Sequence, residues 1–426
     1  MTTVIDHSER GHSPLGGSGV ERWTNCPGSV ALLKRLDLPE SDDPSYRKEG
    51  TAMHEAAEKC LREGLDAWEV MGETYCQVEI DDAMATAIQV YLDSCRRDMD
   101  SATVYEIEAH ISSPVHPSFY GMADFYALVT PGGHAMAKTM ADPPIPGEKL
   151  IVKDLKGGEG IVVEPENNGQ LMYYAFGVID TWERQAGLTI HPDLEVELAI
   201  VQPRAYHHTG QTDRRWSTTV GSIKNWVHLE LVPAMERTET DATLDAGEWC
   251  RFCPAKLICP MLTGLFGAAC KADPKAVVEL TDEAIARNWQ HIAAVNFYIK
   301  ALKEEAQRRL EKGVTMDGFC KLVPKKSNRV FPSSFKDGDK SVKTVDRARE
   351  KFGDDAFTKP ELKSPAELEK LSTEAKAWVK EVAFMPQTGL TVAAWDDPKP
   401  AVRVQTTKEK FGEAIAAALD TRPSKG

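Results

Sequence analysis

The chain has 426 residues, 42% hydrophobic and 27% charged, with a net charge of −14, which is enough for two domains and a sizeable core. No apolar run approaches the roughly 20 residues that span a bilayer, and the N-terminal MTTVIDHSERGHSPLGGSGV lacks the basic-then-apolar order of a secretory signal; a cytoplasmic protein without a membrane partner is expected. The acidic balance argues against a surface coated in non-specific nucleic-acid contacts, yet it leaves room for a local basic groove and supplies the carboxylates that a hard cation needs.

Residues 1–20 are polar and Gly/Ser-rich, the composition of a disordered leader. Helical patterning covers 21–36, the segment carrying TAMHEAAEKCLREG, and 81–98. The period then changes to two: VYEIEAHI (104–111) and MADFYALV (122–129) read as neighbouring strands, and KLIVKDLK (149–156) as a third, after a Pro/Gly-rich insertion over 130–148. NNGQLMYYAFGVIDTWERQ reads as a helix, LEVELAIVQP (194–203) as a strand from the centre of a sheet, and SIKNWVHLELVPAMERT as another helix. A cysteine-bearing segment occupies 247–271, and one long helix is expected over 282–312. From Lys321 to Lys351 there are ten Lys/Arg against four Asp/Glu. A solvated surface is the default for such a stretch, and Lys325, Lys326 and Arg329 could instead grip DNA or a partner. This divides the chain into a leader (1–20), an α/β domain (21–270) and a mainly helical, Lys-rich accessory region with a polar tail (271–426).

The chemistry concentrates on two strands. In KDLKGG, Asp154 and Lys156 share one strand face with Leu150 and Val152, so a charged pair ends a buried strip. Gly157 and Gly158 leave room for close approach. Asp124 interrupts the apolar run of the preceding strand. Two buried carboxylates on neighbouring strands repel unless a cation lies between them; Mg²⁺ or Mn²⁺ would serve, and a salt bridge Asp154–Lys156 is the structural alternative.

These residues resemble the PD-(D/E)XK nuclease signature, with Asp124 followed by Asp154-Leu-Lys156. EGTAMHEAAE, with His54, resembles the first-helix motif of the RecB-like branch, where a His ligates the metal. GQLMYYA, with Gln170 and Tyr174 at i and i+4, resembles that branch's Q-x-x-x-Y motif. The resemblance implies a restriction-endonuclease-like core, a central mixed sheet flanked by helices. It also implies metal ligation by His54, Asp124 and Asp154, a catalytic role for Lys156, and a Gln170/Tyr174 pair that touches DNA phosphate or the lysine. The 30-residue interval between Asp124 and Asp154 departs from the pattern and is assigned to the insertion. Glu108 is the alternative acid to Asp124; Glu49, Glu55 and Glu58 are alternatives or supplements to His54.

WCRFCPAKLICP places Cys250, Cys253 and Cys259 in a C-x2-C-x5-C array, with Cys26 the most plausible fourth sulfur among the nine cysteines. Thiolates so arranged suit zinc or an iron–sulfur cluster. Three local cysteines and one far upstream resemble the [4Fe–4S] staple of AddB-type helicase-nucleases and CRISPR-adaptation nucleases, with structural Zn²⁺ the alternative.

Taken whole, the chain also resembles an uncharacterised phage-associated family with this nuclease core. What the resemblance implies is a metal-dependent DNA exonuclease acting on a free end, in phage recombination or replication, beside a single-strand annealing protein in the bacterial host cytoplasm. Two rival readings are a catalytically inactive nuclease fold that binds DNA or protein, and a zinc-stabilised interaction protein.

Overall fold

The computed structural model describes residues 13–36, 45–130, 139–144, 147–270, 281–326, 329–337, 340–358, 361–384, 387–394 and 400–402. The chain divides into two compact units, Met1–Phe297 and Tyr298–Gly426. The expected leader falls partly outside the described residues. Its described part, 13–20, is ordered rather than free: Ser13 accepts from the Leu15 and Gly16 amides and donates to the Ser118 carbonyl. That turn buries Leu15 and Val20.

In the first unit the helix expected over 21–36 is two helices, α1 (Val20–Asn25) and α2 (Gly28–Leu36), parted at Cys26-Pro27, where proline cannot continue a helix that starts upstream of it. Next come α3 (Ser45–Glu63), a small hairpin β1 (Thr74–Tyr75) and β2 (Val78–Glu79), and α4 (Asp82–Met99), capped by the Asp81 carboxylate on the Met84 amide. A five-stranded sheet follows from β3 (Ala102–Ser112), β4 (Tyr120–Val129), β5 (Lys149–Leu155), β6 (Glu195–Val201) and β7 (Asp213–Thr219), in that spatial order. Only β5 and β6 run parallel, and α5 (Gly169–Ala186) makes the crossover between them. Asn168 caps the start of α5, and Gly187, at φ +63°, ends it in the left-handed conformation that glycine adopts without strain. The sheet is thus mixed, and helices cover both faces, as expected from the sequence. Most of the 130–148 insertion lies outside the described residues. Its described part includes no strand; Met140 is buried against the core, and the Asp142 carbonyl accepts from the Trp182 indole.

Alternation on β5 sorts its side chains. Leu150 and Val152 join the core with α5, whereas Ile151 and Leu155 join the core with α3 and α4. Asp154 therefore faces α5, and Lys153 faces α4. Strand β7, DRRWSTT, is absent from the expected elements, because Trp216 is its one hydrophobic residue and no apolar alternation marks it. Its arginines are held by acids and backbone: Arg215 meets Asp98, Glu197 and Asp213, and the buried Arg214 donates to the Val163 and Gln202 oxygens.

After β7 the chain forms α6 (Val220–Trp226), one turn of π-helix (Val227–Leu231) and α7 (Val232–Thr240), then α8 (Pro260–Cys270). The long helix expected over 282–312 is instead α9 (Asp282–Trp289) and α10 (Ile292–Glu311). The His291 amide bonds the Asn288 carbonyl three residues back, a tight turn that breaks the α-helical register.

The second unit takes its own small core from strands as well as helices. Strands β8 (Cys320–Lys326) and β13 (Gln387–Ala394) pair antiparallel, and so do β9 (Ser334–Asp337) with β10 (Lys340–Lys343) and β11 (Phe357–Thr358) with β12 (Glu361–Leu362). Helices α11 (Thr344–Phe352), α12 (Pro365–Leu368) and α13 (Thr373–Val382) complete it. Trp378 is buried among Phe331, Phe335 and Phe352. Arg329 is engaged by Glu369 at 2.6 Å, Lys325 is exposed, and the side chain of Lys326 lies outside the described residues.

Lys153 is 0% exposed and bonds Ser94 at 2.6 Å and Asp98 at 2.7 Å, tying β5 to α4. Removing one member of a buried pair strands its partner, whereas Lys149 is partly exposed and its partner Glu197 would keep Arg215. Lys153→Met should lower the unfolding free energy by about 3 kcal/mol and Lys149→Met by less than about 1 kcal/mol. Urea titration of both variants checks this; equal losses would refute a special role for the buried network.

Candidate metal centre and cysteine cluster

The site forms where β3 and β4 break their alternation. On β3, Ile107 packs on the α3/α4 side, but Ala109 and Ile111 pack on the α5 side. On β4, Ala123 lies on the α5 side, whereas Phe125 and Ala127 lie on the other. In each strand the change of face occurs across an acid, Glu108 or Asp124. The pairings Ile107↔Phe125 and Ala109↔Ala123 set these acids opposite each other. Glu108 adopts φ +49°, a left-handed conformation that costs a non-glycine residue roughly 1–3 kcal/mol and is kept where the surroundings impose it. Like charges directly opposed across a ladder add to that cost.

His54, on α3, meets both acids. Its Nδ1 lies 3.4 Å from Asp124 Oδ2 and 3.9 Å from Glu108 Oε1. Ligand atoms of His54, Glu108 and Asp124 all fall within 4.8 Å of one another. A six-coordinate cation with bonds of about 2.1 Å sets neighbouring ligands about 3 Å apart and opposite ligands about 4 Å apart, so these three atoms match such an ion. Burial alone would lower the His54 pKa, but the charges of Asp124, Glu108 and Asp154 outweigh it and push His54 up to about 9. Burial, with Asp154 and Glu108, lifts Asp124 to about 7 against the opposing pull of His54. Asp124 Oδ2 also accepts the Leu155 amide at 2.8 Å, which ties it to the end of β5.

Asp154 is 1% exposed and faces the first helical turn of α5. Gln170 Nε2 donates to Asp154 Oδ1 at 2.9 Å, and Gln170 Oε1 accepts from Lys156 Nζ at 2.9 Å. Lys156 Nζ lies 3.2 Å from Oδ1 and 2.9 Å from Oδ2 of Asp154. Oδ2 is thus ion-paired with the lysine, and among the described residues no other donor reaches it. Tyr174 closes the array, its hydroxyl 3.2 Å from Gln170 Nε2. Burial, then the charges of Asp154 and Asp124, raise the Tyr174 pKa well above the ordinary phenol range, so it stays neutral. The Gln170/Tyr174 pair thus engages the lysine and carboxylate within the protein.

The sequence-derived residues separate as follows. His54, Asp124, Asp154, Lys156, Gln170 and Tyr174 converge, and Glu108 joins them beside Asp124 rather than replacing it. The supplementary glutamates go elsewhere: Glu49 pairs with Arg204, Glu55 accepts from Cys76, and Glu58 pairs with Arg62. The close approach expected at Gly157 comes from within the protein. A Cβ there would meet Met53 Sδ at 2.8 Å, so this glycine permits α3 to pack on the strand end, while Gly158 faces open space.

Cys26, Cys250, Cys253 and Cys259 line one small cavity with Arg22, Asp245 and Leu262. All four are buried. The Asp245 amide points at Cys26 Sγ, 3.3 Å away. Burial, with neighbouring thiols adding to it, raises Cys26 and Cys253 and pushes Cys250 up to about 11; Arg22 opposes this at Cys253. Among the described residues, His54, Glu108 and Asp124 make the compact ligand group.

The profile of one protein family, described as "Protein of unknown function (DUF2800)", matches residues 12–400, and the chain belongs to that family.

Because the folded pKa of Asp124 lies above its ordinary value of 3.8, metal-free protein holds that proton more tightly than the unfolded chain does. Its stabilising contribution is complete below pH 4 and is lost as pH rises through 7. Asp124→Asn should therefore stabilise the protein in EDTA at pH 8, by about 1–3 kcal/mol on a scale of about 1.4 kcal/mol per pK unit, and change little at pH 4.5. Melting curves at the two pH values test this; a destabilised variant at pH 8 would contradict the raised pKa.

Proposed function

We propose that the protein is a metal-dependent deoxyribonuclease with a PD-(D/E)XK-type centre, acting from the free end of DNA. One observation carries the reading. Three largely buried carboxylates, Glu108, Asp124 and Asp154, gather near His54, and Lys156 lies 2.9 Å from Asp154 Oδ2. Such an excess of buried negative charge is costly in a low-dielectric interior unless a further cation neutralises it. The donor set, three carboxylates and one imidazole, suits Mn²⁺ at least as well as Mg²⁺. His54, Asp124 and Asp154, with Glu108, would hold the ion. When bound, it would neutralise charge on a phosphodiester and lower the pKa of a water.

The chain's own residues supply the rest. Lys156, held by Asp154 and Gln170, presents a cation beside the acids, where it would stabilise the charge that develops on the attacked phosphate. Gln170 fixes both partners at once, because its carbonyl oxygen must face the lysine and its amide nitrogen the carboxylate. Tyr174 orients Gln170. These two are positioning residues.

The four cysteines fit a [4Fe–4S] cluster. Three cysteines close in sequence with a fourth far upstream carry this reading, and structural zinc would use the same thiolates. The Asp245 amide and Arg22 stand where they would stabilise thiolates. Closing a chain segment of over 200 residues would stabilise the fold by about 5 kcal/mol, by analogy with disulfides.

End-labelled linear DNA incubated with Mn²⁺ or Mg²⁺ and anaerobically prepared protein should lose its label, while closed circular DNA survives. Asp154→Ala should reduce the rate by roughly a hundredfold or more, and Gln170→Ala by about 10- to 100-fold. Equal activity in wild type and Asp154→Ala would place the chemistry elsewhere. Inactivity of intact wild type with every metal would favour a binding role alone.

The cluster has its own readout. Wild-type protein should be brown and contain iron and acid-labile sulfide, and Cys253→Ser should lose both along with thermal stability. Stoichiometric zinc in a colourless wild type would overturn the assignment.

A further inference from the structure

We propose that the β6–β7 loop, residues 202–212, forms the substrate-side lip of this site, and that Tyr206 on it is a stacking platform for a base of single-stranded DNA. The proposal rests on the nuclease reading and extends it to how the strand is held.

Placement comes first. Strands β5 and β6 are parallel neighbours, so their C-terminal ends share one edge of the sheet, and the site lies at the end of β5. The Lys156 amide bonds the Val201 carbonyl at 2.9 Å, one residue before the loop begins. The chain leaving Lys156 is then bound to the loop repeatedly. Gln202, 1% exposed, donates to the Ile161 carbonyl at 2.7 Å and accepts the Val163 amide at 3.0 Å. His207 Nε2 lies 3.0 Å from Glu164, and Arg204 engages Glu159.

These bonds build a fixed pedestal. Gln202, His207 and Arg214 are buried within or beside the loop, and His207 Nδ1 lies 2.6 Å from Thr209 Oγ1. On top of it Tyr206 is 86% exposed, more than any other large hydrophobic or aromatic side chain among the described residues. Exposing an aromatic ring on an anchored loop loses the burial it could have contributed elsewhere. The adjacent His208 is exposed too, its ring 4.2 Å from that of His207.

Charge decides the mode of contact. The cations of this segment are already engaged: Arg204 by Glu49 and Glu159, Arg214 by Glu164, and Arg215 by Asp98, Glu197 and Asp213. The loop is therefore poorly equipped to hold phosphates and offers ring faces instead. Base–aromatic stacking tolerates any sequence and requires an unpaired base. A single strand, or the frayed end of a duplex, is the ligand that fits.

The test uses full-length protein prepared anaerobically, with EDTA present so that a fluorescein-labelled oligonucleotide is bound without being cut. Anisotropy should show Tyr206→Ala binding the single-stranded oligonucleotide about five- to a hundredfold more weakly than wild type, with Tyr206→Phe close to wild type. The salt dependence of Kd should be unchanged, since no phosphate contact is removed. With Mn²⁺, hydrolysis of an abasic phosphodiester oligomer of tetrahydrofuran units, which has no aromatic ring to stack, should be the same in wild type and Tyr206→Ala. If wild type hydrolyses that abasic oligomer and binds the oligonucleotide, but Tyr206→Ala binds equally well, the stacking platform is wrong and the nuclease reading stands. A shallower salt dependence in Tyr206→Ala would replace stacking with a phosphate contact. Wild type that neither binds nor hydrolyses would overturn both.

Discussion

The constraint on which the rest depends is the placement of three carboxylates with little access to water, Glu108 and Asp124 within β3 and β4 and Asp154 at the end of β5. Their mutual repulsion is offset by two cations of the protein, His54 and Lys156, placed on opposite sides. His54 comes from α3 on one face of the sheet, and Lys156 is steadied by Gln170 of α5 on the other. The helices on both faces thus owe part of their alignment to the same buried charge. The raised pKa values of His54 and Asp124 express that strain: the group binds protons because it is short of positive charge. A divalent cation, as in the proposed function, would meet the shortage without protons, beside the Asp154–Lys156 salt bridge that the structure contains.

Strand β5 concentrates the problem and its solution. Its successive residues Lys153 and Asp154 are both charged and both buried, yet they point to opposite faces of a central strand. Asp154 serves the site. Lys153 binds Asp98 and Ser94 of α4, and Arg215 of β7 reaches the same Asp98. The two charges enter separate networks, so the strand end that carries Asp154 and Lys156 is clamped from behind by ion pairs as well as by apolar packing. Asp98 sits between two cations, and neither cation is left with solvent as its only partner.

Much of this was legible in the sequence, for physical reasons. Strand alternation gave Asp154 and Lys156 a common face, and the period change near residue 102 separated helices from strands. The order His54, Asp124, Asp154, Lys156, Gln170, Tyr174 marked side chains that do converge. Glu108 could be ranked only as an alternative, because β3 switches faces at that residue and a period-two reading assumes a regular pleat. Strand β7 escaped notice because its arginines are satisfied by acids contributed from α4 and β6, a tertiary compensation that a local pattern does not display. Gly157 signals close approach in the sequence, and what approaches is Met53 of α3, a helix contact whose identity a local pattern does not display. Lys153 showed only as a charge in an apolar run; its partner Asp98 lies 55 residues away in sequence.

The cysteine cluster and the acidic centre are joined by a continuous run of contacts. Cys26 ends α1, and the Gly28 amide just beyond it bonds the Thr243 carbonyl near the other three cysteines. Within α1, Trp23 is fully buried and its indole donates to the Gly16 carbonyl. Gly17 then lies so close to Tyr174 that a Cβ would come within 2.8 Å of the ring. Tyr174 in turn bonds Gln170, which bonds both Asp154 and Lys156. A metal group bound by the four sulfurs would therefore do more than close a long loop. It would hold the N-terminal segment as a lid over Tyr174, and through Gln170 it would steady the lysine beside the acids. Stability supplied by such a group at the cysteines would then also be geometry supplied at the carboxylates.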